Sequence, residues 1–124
     1  MALELKLVVE PPVVHRPEEL VARGTYTNRA AEPFRFSVAS VASASLALAV
    51  RRAGGAIVPM APPPVPYPEE RSGDTIVLAP GGAHSVEFRN FLPQRLARGD
   101  YEACLRYRHR GSDLQSRWEP FTLV

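Results

Sequence analysis

The chain is poor in cysteine and lysine, and it has no long hydrophobic run. Cys104 is the only cysteine, which excludes a disulfide within the chain. No stretch reaches about 18 apolar residues, so the sequence predicts no membrane-spanning helix. The first ten residues lack a basic segment followed by an apolar one, which predicts that no signal peptide is present. We therefore expect a cytoplasmic protein, and a mature secreted domain whose leader has been removed is the alternative.

Sequence motifs typical of catalytic, metal-binding or phosphate-binding sites are also missing. The histidines His15, His84 and His109 are widely spaced, and neither an HExxH nor a CxxC pattern occurs. His109 is near Cys104 in sequence but opposite in strand direction, and a cysteine in mid-strand is usually a small apolar residue of the core. Pro80-Gly81-Gly82 is not followed by the Lys-Ser/Thr pair of a phosphate-binding loop. The sequence predicts no catalytic, metal or cofactor site, and hence a protein that is not an enzyme.

The charge of the chain does not indicate a nucleic-acid partner. Its net charge is only +2, and Lys6 is its single lysine. Alternation places Arg106, Arg108 and Arg110 on one face of a predicted strand, whereas Tyr107 points the other way. A surface that binds nucleic acid combines such a basic stripe with aromatic residues on the same face. We therefore interpret the arginine stripe as a solvated face.

Alternating apolar and polar residues predict β-strands along the whole chain. The length of 124 residues is typical of one domain, covering residues 1–124. The strands that we predict are Leu3–Val9, Leu20–Asn28, Phe34–Val38, Leu46–Arg51, Thr75–Leu78, Ser85–Phe91, Tyr101–Arg108 and Arg117–Val124. Turn signals recur about every 8–12 residues, as in β-sandwiches. The pattern predicts an all-β, immunoglobulin-like antiparallel β-sandwich of about seven to nine strands.

The same alternation predicts which side chains are buried. We expect a core that contains Leu5, Leu7, Tyr26, Phe36, Leu48, Val86, Phe88, Tyr101, Leu105 and Tyr107. Tyr101 follows Gly99-Asp100, the pattern of a tyrosine corner, in which the hydroxyl bonds to the backbone of the preceding loop. Parity places Cys104 on the opposite face of the strand from Tyr101.

Two features are candidates for binding a partner. The segment Pro59–Pro68 contains six prolines, which predicts a stiff, extended loop that carries Met60, Val65 and Tyr67. Such a loop either enters the groove of a partner at low entropic cost or merely bridges the two sheets. Trp118 either fills one end of the sandwich or is an exposed anchor for a partner.

Four motifs, TYTNRAAEPFRF, LALAVRRAGGAIVP, LAPGGAHSVEFRNF and LARGDYEACLRYR, follow one another along the chain. In this order they resemble bacterial and fungal immunoglobulin-like domains. Two such groups are the Bacillus-type intracellular proteinase inhibitors and the N-terminal, non-catalytic domain of deuterolysin-like metalloendopeptidases. The resemblance covers roughly Glu18 to Arg108 and implies a role in protein binding or peptidase inhibition. It transfers no inhibitory residue to this chain, and the zinc-binding motif of the peptidases is absent.

Two functional hypotheses follow from the sequence. The first is a non-catalytic protein-binding module, and specifically a peptidase inhibitor that acts through the Pro-rich loop. The alternative is a structural or assembly domain, a scaffold or adaptor within a larger complex. The expected partner is a peptidase, a subunit of a complex, or a second copy of the chain that pairs through sheet edges. We expect no nucleic acid, membrane or cofactor to bind.

Overall fold

The computed structural model describes residues 3–37, 46–60, 75–109 and 112–124, and this part of the chain is almost entirely β. Its ten strands are β1 (Leu3–Glu10), β2 (Val13–Val14), β3 (Val21–Asn28), β4 (Phe34–Ser37), β5 (Leu46–Arg52), β6 (Thr75–Leu78), β7 (Ala83–Arg89), β8 (Gly99–His109), β9 (Ser112–Gln115) and β10 (Glu119–Leu123). A short 3-10 turn spans Pro17–Glu19. Within these residues, no helix is long and apolar enough to cross a membrane.

The strands form two main sheets and a separate pair. The first sheet has the order β1-β3-β7, and the second has the order β2-β10-β8-β5, with β9 also paired to β8. β4 pairs with β6. All pairings are antiparallel except that of β2 with β10. The chain therefore passes from the first sheet to the second at Pro11-Pro12, between β1 and β2, and the predicted antiparallel β-sandwich is confirmed.

The core lies between the two sheets and follows the predicted parity. Of the ten side chains expected there, eight are buried: Leu7, Tyr26, Leu48, Val86, Phe88, Tyr101, Leu105 and Tyr107. Leu5 is only partly buried and packs against the edge of the core. The side chain of Phe36 lies outside the described residues. Tyr101 stacks on Phe121 of the neighbouring strand, with ring centroids 5.6 Å apart, a contact that adds to the burial of both rings.

A glycine of the first sheet faces a leucine of the second across the interior. Gly24 of β3 has no side chain, and a Cβ placed there would lie 2.7 Å from Cδ2 of Leu105 in β8. Leu105 is fully buried and fills the space above the glycine. The missing side chain of Gly24 therefore makes room for the large side chain of Leu105 on the facing sheet.

Asn28 holds together two loops at one end of the sandwich. Its buried side chain donates from Nδ2 to the carbonyl oxygens of Glu32, at 2.8 Å, and Leu78, at 2.9 Å. Its Oδ1 accepts a hydrogen bond from the backbone of Ala30 at 2.9 Å. The Asn28 backbone exchanges two further bonds with the turn at Gly81-Gly82. One residue thus connects the end of β3, the loop after it, and the turn between β6 and β7.

The tyrosine corner that the sequence predicts is present. The Tyr101 hydroxyl donates a hydrogen bond to the carbonyl oxygen of Ala97, four residues earlier. Gly99, at the start of β8, has a φ of 147°, a conformation that side chains rarely adopt. The glycine therefore permits the sharp entry into β8, and the tyrosine fixes the loop that precedes it.

We expect Tyr101→Phe to lower the free energy of unfolding by about 1 kcal/mol, because the change removes one hydrogen bond and leaves the ring in place. Urea unfolding of the two proteins, monitored by far-ultraviolet circular dichroism, measures the difference. Coincident unfolding midpoints would contradict the prediction and would mean that the corner bond contributes nothing to stability.

Candidate functional site

The residues proposed for binding fall in different parts of the structure. Met60 is partly buried and packs against the core, so it anchors the start of the Pro-rich segment. Val65 and Tyr67 lie outside the described residues. Trp118 lies between β9 and β10, half-buried on the outer side of the second sheet. Of the candidate residues, Trp118 is the one whose surroundings define a surface.

Trp118 is held by an arginine that is itself fixed in place. The guanidinium carbon of Arg51 lies 4.0 Å from the centre of the Trp118 ring system, a cation–π contact. Nε of Arg51 donates to Oε1 of Glu102 at 3.0 Å. The same carboxylate oxygen accepts a bond from the backbone of Gly54 at 3.3 Å. The indole therefore rests on an ion pair that is tied to the hairpin turn after β5.

An apolar residue that the sequence did not single out extends this surface. After the turn at Gly54-Gly55 the chain runs back beside β5, and Ile57 forms a bridge opposite Arg51. Residues directly opposite in antiparallel pairs share a face of the sheet, so Ile57 lies on the same face as Arg51 and Glu102. Its side chain is 56% exposed. We call the group formed by Ile57, Arg51, Glu102 and Trp118 the Trp118 face.

A small cavity opens at the end of the sandwich, next to this face. It has a volume of about 220 Å³ and is lined by Arg52, Ala56, Ile57, Val58, Pro59, Leu96 and Tyr101. Most of these side chains are apolar. The guanidinium of Arg52 lies 5.6 Å from the centre of the Tyr101 ring, at the wall of the cavity. Ile57 is thus shared between the cavity and the Trp118 face.

Two of the groups that sequence reasoning considered for catalysis, Cys104 and His84, lie in different sheets. Cys104 is fully buried in the second sheet, and burial raises the pKa of its thiol to about 11, outweighing the opposing effect of Arg106 and Arg51. It is therefore a protonated thiol at neutral pH. His84 lies in the first sheet opposite Tyr26. Within the described ranges, no three His, Cys, Asp or Glu side chains come together as a metal site.

The arginine stripe is only partly described. Nη2 of Arg106 lies 3.5 Å from Oδ2 of Asp113, on the adjacent strand β9. The side chains of Arg108 and Arg110 lie outside the described residues. Glu102, on the same face of β8 as Arg106, pairs with Arg51. The positive charge of Arg106 is offset by β9, which belongs to the same sheet.

Comparison with known proteins supports the fold. The sequence matches no protein-family model and no curated protein. The structure is similar to a β-glucosidase from Erythrobacter marinus, with a TM-score of 0.57 and 15% identity. It is also similar to an alkylpurine DNA glycosylase from Pseudomonas fluorescens, solved bound to DNA containing an abasic site analog, with a TM-score of 0.56 and 13% identity. Both similarities cover 98% of this chain but only 15% and 30% of the larger proteins, respectively.

Proposed function

We propose that this chain is a non-catalytic protein-binding module that engages its partner through the Trp118 face. The observation that carries the proposal is the position of Trp118, half-buried on the outer side of a sheet and stacked on Arg51 at 4.0 Å. Tryptophan and arginine are the side chains most enriched among residues that dominate binding energies. This chain has a single tryptophan, and it lies outside the sandwich core.

The geometry of the face favours binding because little freedom remains to be lost. Glu102 fixes Arg51, and Arg51 fixes the plane of the indole. A side chain that is ordered before association costs less entropy when the complex forms. Exposed Ile57 supplies an apolar neighbour, and the ion pair supplies a polar one. This mixture of apolar and charged groups is typical of interfaces between proteins that also exist separately.

We propose that Cys104 is not a catalytic nucleophile. The Cys104 thiol is protonated at neutral pH, since burial raises its pKa, and it lies in the opposite sheet from His84. Nucleophilic catalysis requires a base within hydrogen-bonding distance of the nucleophile. We also place the protein in the cytoplasm, because its fold is assembled without a disulfide, as is usual for cytoplasmic domains of this size.

Peptidase inhibition is the specific form of this function that we propose. The resemblance to intracellular proteinase inhibitors and the proline content of residues 59–68 support it. Met60 supports it as well, because its contact with the core attaches the base of the segment to the sandwich. A segment that is stiff and firmly attached at its base enters a cleft at low entropic cost.

The alternative is a structural or assembly domain within a larger enzyme or complex. One comparison favours it: the similar fold makes up only 15% of a β-glucosidase and 30% of a DNA glycosylase. In that case the Trp118 face would contact a subunit of the complex rather than a peptidase. Identification of the bound protein by mass spectrometry distinguishes the two functions.

We expect Trp118→Ala to weaken partner binding by about 2 kcal/mol, roughly thirtyfold, because it removes the aromatic anchor of the face. The immobilised protein is used to capture partners from native lysate, and the affinity of each captured protein is then measured for the wild type and the variant. Val77→Ala is the matched control, since Val77 is 54% exposed but lies on β6.

The control should bind as the wild type does, and both variants should keep the wild-type melting temperature to within a few degrees. Capture of the same proteins with equal affinity by Trp118→Ala would contradict the proposed binding face. A captured peptidase whose activity the protein leaves unchanged would contradict inhibition while leaving the binding function in place.

A further inference from the structure

Strand β1 is an open sheet edge in the described part of the chain. Among those residues it pairs only with β3. A cleft of about 240 Å³ lies between β1 and the start of β10, and it is lined by Leu5, Lys6, Leu7 and Val8 on one side and by Arg117 and Glu119 on the other. Side chains of a strand alternate between its two faces, so a cleft that touches four consecutive residues follows the backbone rather than one face. Within the described residues, this side of the β1 backbone therefore has no strand paired to it.

The backbone of this edge strand is uninterrupted. β1 runs for eight residues without an internal proline or glycine, and both residues commonly interrupt exposed strands. Its charged side chains Glu4 and Lys6 protect it against partners that lack complementary charges, and a proline, Pro11, follows only after Glu10. Beyond that point, the carbonyl oxygen of Pro12 accepts a hydrogen bond from the backbone N–H of Thr122 at 2.8 Å, so the chain after β1 is already paired with β10. Only the N-terminal part of the edge is open to a partner.

We propose that this edge pairs antiparallel with the β1 edge of a second copy of the chain, in the register centred on Leu5. When the two-fold axis is perpendicular to the sheet, both copies turn the same face of β1 towards the same side. Odd-numbered residues of one copy then lie opposite odd-numbered residues of the other, and even-numbered residues opposite even-numbered ones. The register centred on Leu5 places Lys6 of each copy opposite Glu4 of the other. It also places Leu3 opposite Leu7 on the inner face.

The charges of β1 select between the symmetric registers. Pairings centred on Glu4 or on Lys6 bring like charges directly together, and the pairing centred on Leu7 sets Glu4 against Glu10. The pairing centred on Val8 also opposes unlike charges, Lys6 and Glu10. That register requires the end of the strand where the chain turns towards β10, and Glu10 there is bound to Arg23 at 2.8 Å. The register centred on Leu5 uses the open end.

The groups that would meet in this register are charged and accessible. Lys6 and Glu4 have side chains that are 70% and 39% exposed, with Nζ and Oε1 3.6 Å apart. A hydrogen bond from Arg29 lowers the pKa of Glu4, so its carboxylate is ionised at neutral pH. Two copies paired in this register would assemble four charges of alternating sign. The inference does not depend on the proposed function, because Trp118 lies on the other sheet.

Sedimentation velocity across a series of protein concentrations tests the pairing. We expect a reversible dimer of the wild type, and a dimer dissociation constant about tenfold higher for Lys6→Glu, which replaces two attractive pairs by repulsive ones. The double variant Glu4→Lys/Lys6→Glu restores opposite charges in the same register and should recover the dimer. Glu10→Lys/Lys6→Glu should not.

Arg89→Glu is the matched control. Arg89 pairs with Glu87, two residues earlier on β7, just as Lys6 pairs with Glu4, two residues earlier on β1. The control therefore makes the same charge reversal on a different strand. It should dimerise as the wild type does. Circular dichroism and melting temperature verify that each variant folds. A wild type that is monomeric throughout overturns the proposal, as does a dimer that is indifferent to Lys6→Glu. Recovery by the Glu10 double variant in place of the Glu4 one overturns the register.

Discussion

Asn28→Ala should lower the free energy of unfolding by about 3 kcal/mol, because it leaves three backbone groups, one of them buried and two partly buried, without their partner. Those groups are the carbonyl oxygens of Glu32 and Leu78 and the N–H of Ala30. The loss is large for a polar substitution because the Asn28 side chain is fully buried and water does not replace it. Urea unfolding at constant pH gives the free-energy difference.

Two further variants sharpen this measurement. Asn28→Asp keeps the shape and the acceptor for Ala30, but it turns a carboxylate oxygen towards two carbonyl oxygens. Asn28→Asp should therefore lower the free energy of unfolding by at least as much as Asn28→Ala does. Gln94→Ala removes an exposed amide from the loop before β8 and should change stability by less than about 0.5 kcal/mol. A loss below about 1 kcal/mol for Asn28→Ala would show that the two loops hold their conformation without this side chain.

Leu105→Ala should cost about 3 kcal/mol, since it empties the space between the sheets opposite Gly24. Gly24→Val should also be destabilising, by roughly 1–3 kcal/mol, because its Cβ would lie 2.7 Å from Cδ2 of Leu105. In the double variant the new valine occupies part of the space that leucine left. The stability lost in the double variant should then be smaller than the sum of the two single losses by at least about 1 kcal/mol.

A double-mutant cycle of equilibrium unfolding measures this coupling. Leu123→Ala in place of Leu105→Ala serves as the control, because Leu123 is also buried but pairs with Gly99 at the start of β8. Its loss should add to that of Gly24→Val. Additive losses for the Leu105 pair would mean that the sheets adjust around the valine, and the close approach at Gly24 would then be no constraint on the interior.

The fold was largely predictable because its strands alternate cleanly. In β8 the parity that places Tyr101 and Leu105 in the core and Cys104 on the other face follows directly from the sequence, and the structure confirms it. The corner at Tyr101 was predictable because the glycine that permits it lies only two residues earlier. These features depend on local patterns, which is why the sequence alone reveals them.

The Trp118 face could only be predicted in part. The sequence identified Trp118 but left open whether it fills the sandwich or lies outside, since that depends on Arg51, in a strand far away along the chain. Ile57 was missed because its place beside Arg51 depends on how the chain returns after Gly54. The role of Asn28 was missed for a similar reason: one of its acceptors, Leu78, lies 50 residues away. Contacts between residues so far apart along the chain leave no periodic pattern in the sequence.

The outer surface of the first sheet has a consequence for how the protein behaves when crowded. Ion pairs cover it from β1 across β3 to β7, joining Glu10 to Arg23, and Arg23 and Arg89 to Glu87. Another sheet that stacked on this surface would have to strip water from every one of these charges, and ion pairs seldom repay that cost. Face-to-face stacking of two such sheets is thus opposed, even at high protein concentration.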